Sequence, residues 1–428
     1  MSALNYTGPV TLAIKPGTGA AGAVLSGTTI VNAVAGVAAF ADLGIDKAGD
    51  NYQLTATSGS LPLADSAPFL VGVGLAKAWG GNSYGQLGDG STTSRNTPVQ
   101  VSGLANVASL SSGGYHSLAL TTDGKVMAWG SNSAGQLGNG TTTDSASPEQ
   151  VHELTNVSRV SAGTYHNLAV KADGTVWAWG SNGDGQLGDN TNTSRDVPVE
   201  VVGLTTVMAV SAGSAHCLAV KTDGTVWAWG DNSYGQLGDG TAFDRYSPIQ
   251  ISSLTDVVSV SASDQHSLAV KKDGTVWAWG SNRYGQIGDG TTIDRNTPVQ
   301  VTGLSNIVSV SSGFAHGLAV KRDGTVWAWG RNRYGQIGDG TTIDRSLPVQ
   351  LADLSGIVSA DAQRFHSLAV RADGNVWAWG FNGNGQLGDG TAINRLTPVQ
   401  VPDLVHAKSV SAGEEHGLAL VNGSLQDH

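Results

Sequence analysis

The sequence predicts an all-β protein, a seven-bladed β-propeller of four-stranded blades closed by an N-terminal strand and preceded by a small β-sandwich. Two observations carry this. Trp-Gly recurs every 50 residues, at Trp79, Trp129, Trp179, Trp229, Trp279, Trp329 and Trp379, and a histidine keeps the same step at His116, His166, His216, His266, His316, His366 and His416. A period of roughly 20 to 50 residues marks a solenoid, propeller or array, whose single unit is too small to bury its own apolar face. The 60 glycines and 13% charged residues in 428 suit many short strands joined by tight turns.

Within a unit, VMAVSAG, HCLAV and TVWAWG read as three strands, and the segment around PVQV, after a Gly- and Thr-rich loop, as the fourth. Four antiparallel strands make a propeller blade. An Asp-Gly pair, such as Asp173-Gly174 or Asp223-Gly224, separates the second and third strands and predicts a tight type I′ hairpin. The two ends complement each other. GLAKAWG, Gly74 to Gly80, lacks a preceding hairpin partner, whereas HGLALVNGSL from His416 stops before another Trp-Gly. Residues 75 to 80 are therefore expected to pair with 416 to 421 in one composite blade, which closes the ring and removes free edges.

Residues 75 to 425 resemble the regulator of chromosome condensation repeat family, on GGYHSLAL at Gly113 to Leu120 and on the Trp-Gly-x-Asn-x-x-Gly-Gln-Leu-Gly run at Trp229 to Gly238. The resemblance implies a seven-bladed propeller. It also supplies two functional precedents: guanine-nucleotide exchange on a small GTPase through an inserted β-wedge, and β-lactamase inhibition by a secreted bacterial protein that covers its target with one face. The spacing of Trp-Gly never departs from 50, so no wedge is inserted and exchange is disfavoured. No inhibitor-specific residue can be matched. A structural or adhesive repeat module also fits.

The first 70 residues stand outside the repeat, which divides the chain into 1–70 and 71–428. VTLAI, TTIVNAV, VAAF and YQLTAT are strand-like between Gly, Pro, Asp and Ser breakers. Gly27 to Leu61 resembles the immunoglobulin-like modules of bacterial surface and secreted proteins, chiefly through the Tyr52 strand with Ala48-Gly49 before it and Ala56, Ser58 and Gly59 after it. That resemblance implies an incomplete module of a longer secreted or cell-surface chain, although no signal-peptide pattern opens this sequence.

The formal charge of -11 and pI near 5.2 disfavour nucleic acid and anionic membrane surfaces as partners, and no apolar run reaches membrane-spanning length. Cys217 is the only cysteine, so no disulfide can form within the chain. Repetition itself argues that the seven histidines and the seven tryptophans of Trp-Gly are structural, the imidazole satisfying backbone groups at a strand start and the indole holding blade to blade. A buried Trp removes ~150 to 250 Å² from water, on the order of 4 to 6 kcal/mol before entropy. GQLGDGT has no Lys-Ser/Thr ending and one Asp per loop, so it reads as turn glycine rather than a phosphate or calcium loop. No catalytic constellation, metal set or cofactor motif stands out, and a non-enzymatic role is expected.

The informative positions are those where units differ: the two residues before each histidine, and the loop after each Trp-Gly, which hairpin geometry places beside them on one rim. Aromatic and Arg side chains on a rigid rim are the residue types that anchor protein interfaces. Tyr165, Arg283, Phe314, Arg331, Arg333, Arg364, Phe365 and Phe381 are the candidate contacts for a protein partner. Tyr84, Tyr234, Tyr284 and Tyr334 recur in that loop and are assigned to packing.

Overall fold

A computed structural model describes residues 6–34, 36–40, 43–45, 49–59, 61–67, 69–71 and 74–422. The chain divides into two compact units, one holding Met1–Gly74 with Asn422–His428, the other Leu75–Val421. Residues 423–428, beyond the predicted closing segment 416–421, lie outside the described residues, as do Ala48 and several other positions of the stretch with immunoglobulin-like resemblance.

In the first unit one four-stranded sheet runs in the order Ile30–Asn32, Pro9–Ile14, Leu54–Ser58, Leu61–Asp65. Two short ribbons join Leu25–Ser26 to Gly44–Ile45 and Gly49–Tyr52 to Phe69–Val71. The Tyr52 side chain is fully buried. VAAF does not form the expected strand: Val37 makes only an isolated bridge to Val34, and Ala38, Ala39 and Phe40 lie outside any strand.

The second unit is a ring of seven four-stranded antiparallel blades. Blades 2 to 7 span residues 107–150, 157–200, 207–250, 257–300, 307–350 and 357–400. Blade 1 is composite: Arg95–Gln100 and Gly74–Gly80 from one end of the unit pair with His416–Asn422 and Ala407–Ala412 from the other. The first strands of successive blades contact each other around the complete circuit, so they form the inner wall.

The strands follow the sequence pattern with one correction at the hairpin. Gly174 has φ of 81° but Asp173 is not in the left-handed region. The loop is three residues, Ala172 to Gly174, with Gly174 N–H on Lys171 C=O at 2.9 Å and Lys171 N–H on Thr175 C=O at 3.0 Å. This is a type I turn completed by a left-handed glycine. Asp173 favours it because its carboxylate accepts both the N–H and the hydroxyl of Thr175, at 2.9 and 2.7 Å.

Three repeated contacts hold blade to blade. Each Trp-Gly indole is fully buried against the preceding blade; Trp179, for example, packs on Leu118, Val126, Leu137 and Val151. Its N–H donates to the backbone C=O of Gln136 at 3.0 Å, and the other six indoles find the equivalent glutamine carbonyl at 2.7 to 2.9 Å. On the inner wall the Oγ of Ser111 accepts the N–H of Ala162 in the next blade at 2.9 Å. The same bond recurs around the ring, closes with Ser112 N–H on Ser411, and at blade 7 uses a carboxylate, Asp361 Oδ2, to receive Ala412 N–H.

The third contact is the histidine, and it differs from the backbone role expected. His116 Nε2 lies 2.7 Å from Asn167 Oδ1, and His216, His316 and His416 meet the hydroxyls of Ser267, Ser367 and Ser117 at 2.9 to 3.1 Å. A side chain of the next blade, which itself donates to the glutamine carbonyl, thus outcompetes the backbone. His166 meets Cys217 Sγ at 3.0 Å, and the thiol points on to Gln186 C=O at 3.2 Å. Two blades lack the partner because Gly317 and Gly417 occupy the slot, leaving His266 Nε2 and both ring nitrogens of His366 unbonded.

Candidate interaction face

The glycine of each Trp-Gly sets the geometry of one mouth of the ring. Gly180 has φ of 106°, and a Cβ there would lie 2.4 Å from Tyr165 C=O. That close approach lets Ser181 N–H donate to Tyr165 C=O at 2.9 Å. The same bond joins Arg331 to Ala315 and Phe381 to Phe365, at 2.8 and 2.9 Å. The residue after Trp-Gly therefore sits beside the residue before histidine, blade after blade.

Five of the eight candidate residues gather on blades 5 to 7 around one guanidinium. Arg331 lies over the ring of Tyr284 at 4.7 Å, Phe365 at 5.2 Å and Phe314 at 5.9 Å. Phe314 and Phe365 stack at 5.4 Å, and Tyr334 bridges Phe365 and Phe381 at 5.1 and 5.0 Å. Arg333 covers Tyr334 at 5.6 Å. Arg283 joins the edge, over Tyr284 at 5.8 Å. Each such cation–ring contact contributes about 0.5 to 1 kcal/mol at an exposed site.

These three arginines have no carboxylate within ion-pair distance among the described residues. Arg295 and Arg345, a few residues on in the same blades, each pair with an aspartate, Asp289 and Asp339, at 2.6 Å. Those pairs belong to GQLGDGT: the aspartate also accepts Thr291 or Thr341 and an asparagine, which explains the motif as a self-bonded loop. Blade 2 drops both partners together, carrying Asn139 and Ser145.

Tyr165 lies apart from the ring cluster, whereas Arg364 borders it, its guanidinium 5.6 Å over the Phe365 ring. Tyr165 is exposed on blade 3, its phenol pKa raised by burial of part of the ring and by the charge of Glu414. Arg364 turns toward blade 1, with Nη1 3.0 Å from Glu414 Oε2, 3.5 Å from Glu415 Oε1 and donating to Tyr115 Oη at 3.3 Å. Burial works against its charge, yet Glu414, Tyr115 and Glu415 hold its pKa above the ordinary value.

The seven repeated histidines are fully buried, and burial lowers their pKa to about 3 or about 4. The Cys217 thiol, equally buried, is pushed well above its usual value. A neutral thiol beside a neutral imidazole, sealed between blades, is packing and not a nucleophile pair.

Residues 76–419 match the RCC1-like domain. The chain belongs to that family. Among solved structures, human WBSCR16 shares this RCC1-like fold at 22% identity and TM-score 0.74, covering 82% of this chain and 100% of its own. Yeast RCC1 (Prp20), solved bound to Kap60, aligns at 22% identity and TM-score 0.73 over 83% of this chain and 91% of that one. A second structure of Prp20p from Saccharomyces cerevisiae, described with its binding properties to Gsp1p and histones, aligns at the same identity and score over 83% and 93%.

Two features of this RCC1-like ring escape the sequence reading. Tyr284 and Tyr334, assigned to packing because they recur, supply the rings on which the rim arginines rest. The second residue before each histidine was assigned to one rim, yet six such residues, Thr164, Ser214, Asp264, Phe314, Arg364 and Glu414, line a single cavity. The available signal was that this position holds a different residue in every unit, Gly114 included.

Proposed function

We propose that the propeller is a non-enzymatic protein-interaction module whose partner docks on the mouth formed by blades 5 to 7. The observation that carries this is Arg331, held among three aromatic rings and, among the described residues, with no carboxylate partner, flanked by Arg283 and Arg333. Arginine and aromatic side chains pre-positioned in this way are the groups that dominate interface energetics, since little side-chain freedom is lost on binding. In a chain of net charge -11 the patch favours a partner that presents carboxylates. The family precedents, Prp20 with Gsp1p, histones and Kap60, are also protein complexes.

The setting we propose is bacterial and secreted or cell-surface, with 1–70 and 71–428 as separate domains; it rests on the immunoglobulin-like resemblance of residues 27–61. Enzyme inhibition is one form such docking takes, and a β-lactamase panel tests it. The test of the docking face is quantitative. A partner recovered on the immobilised protein is purified and titrated against the wild type and Arg331→Ala, with Arg283→Ala and Arg333→Ala alongside. Arg331→Ala is expected to weaken binding about 30-fold, the loss typical of a hot spot. Equal affinity for wild type and all three variants, with melting temperatures unchanged, overturns the assignment.

A further inference from the structure

The cavity lined by pre-histidine residues lies on the axis of the ring, because positions equivalent under the ring's rotation meet only there. Its volume is about 110 Å³, and Thr164, Ser214, Asp264, Phe314, Arg364 and Glu414 surround it. At ~30 Å³ per water this holds three or four waters, or one compact head group.

Its charges are unequally matched. Arg364, the one cation in the lining, is engaged by Glu414 and Glu415 at 3.0 and 3.5 Å. Asp264 forms no ion pair among the described residues and has the Ser214 hydroxyl as its hydrogen-bond partner. Burial raises the Asp264 pKa, and the neighbouring charge of Asp231 raises it further, against the opposing effects of Ser214 and Arg364. A carboxylate held in that state is stabilised by any cation that reaches it. On the adjoining blade Phe314, also in the lining, offers an aromatic ring, a favourable neighbour for a desolvated cation.

We propose that the axial cavity binds a guanidinium or primary ammonium group, held by the Asp264 carboxylate beside the Phe314 ring. The head group belongs either to a free amine or to an arginine or lysine side chain of a docked protein. The site borders the rim patch at Phe314 but differs from it in charge, and it uses none of Arg283, Arg331 or Arg333.

The test is calorimetric titration of the full chain with agmatine and with a capped Gly-Arg-Gly peptide, alongside amide chemical-shift mapping of the unmodified protein. Saturable binding at one site per chain is expected, in the millimolar range for a ligand this small. The perturbed amides should centre on Ser214, Asp264 and Phe314. Asp264→Asn should weaken binding at least about tenfold, whereas Arg333→Ala should leave it unchanged. Comparable binding of both probes assigns the site to free amines, and a peptide at least about tenfold tighter assigns it to a protein side chain. Absence of saturable binding by either probe, perturbations elsewhere in the unmodified ring, or equal binding by a folded Asp264→Asn variant overturns the proposal.

Discussion

The interface between blades 2 and 3 and the interface between blades 7 and 1 share a backbone but not a chemistry. At the first, His116 bonds Asn167, Asn167 and Trp179 both donate to Gln136 C=O, and Ser111 receives Ala162 N–H. At the second, Gly417 leaves His366 without a partner, Asp361 replaces the serine, and Arg364 ties the blades through Glu414 and Glu415. The indole bond is the same in both, Trp79 reaching Gln386 C=O at 2.8 Å. The ring thus tolerates loss of the histidine bond where indole and inner-wall bonds remain.

The largest expected effect tests the closure itself. Deleting residues 75–80 removes the third strand of blade 1 and the indole of Trp79, so cooperative thermal unfolding of the entire ring should be lost; a small, local loss in hydrogen exchange would contradict this. Next comes acid. The seven histidines are neutral when folded, with pKa values of about 3 or about 4, and become charged near 6.5 once unfolded. Between those values the unfolded state binds more protons. Their contribution is therefore complete above about pH 6.5 and falls as pH drops toward 4, by about 1.4 kcal/mol per pH unit for each histidine at most. Denaturant midpoints that stay flat from pH 7 to 4 would break the account.

Trp79→Ala and Trp179→Ala should each cost about 3 to 5 kcal/mol, equal at the two interfaces because burial and the indole bond are equal. Urea unfolding checks this, and a large difference would show that the seam is held by other means. The smallest effect separates the interfaces: His116→Phe should cost about 1 to 2 kcal/mol more than His366→Phe, since only His116 loses a bond and the change in volume is common to both.

The architecture was legible because the 50-residue period, the Trp-Gly dipeptide and the complementary ends each express one packing requirement seven times. The hairpin type was not, since Asp173-Gly174 suits two loops, and the three-residue form recurs where Lys125 or Asn375 stands in place of Thr175. Nor was the histidine partner: it lies in the next blade, 51 residues away, and varies among Asn, Cys, Ser and Gly. The rim cluster was half legible. Arginine and phenylalanine stood out by being singular, whereas Tyr284 and Tyr334 were hidden by repetition, and convergence at the axis follows only from ring geometry.

The central claim is that the sevenfold repeated residues are a dry scaffold and that the singular residues at one mouth carry function. Proton NMR titration of the imidazole C–H resonances tests it most directly. The seven repeat histidines, of ten in the chain, should show no titration in the folded protein down to about pH 5. Repeat histidines that titrate near 6.5 in the folded ring would place them in contact with water and contradict the claim.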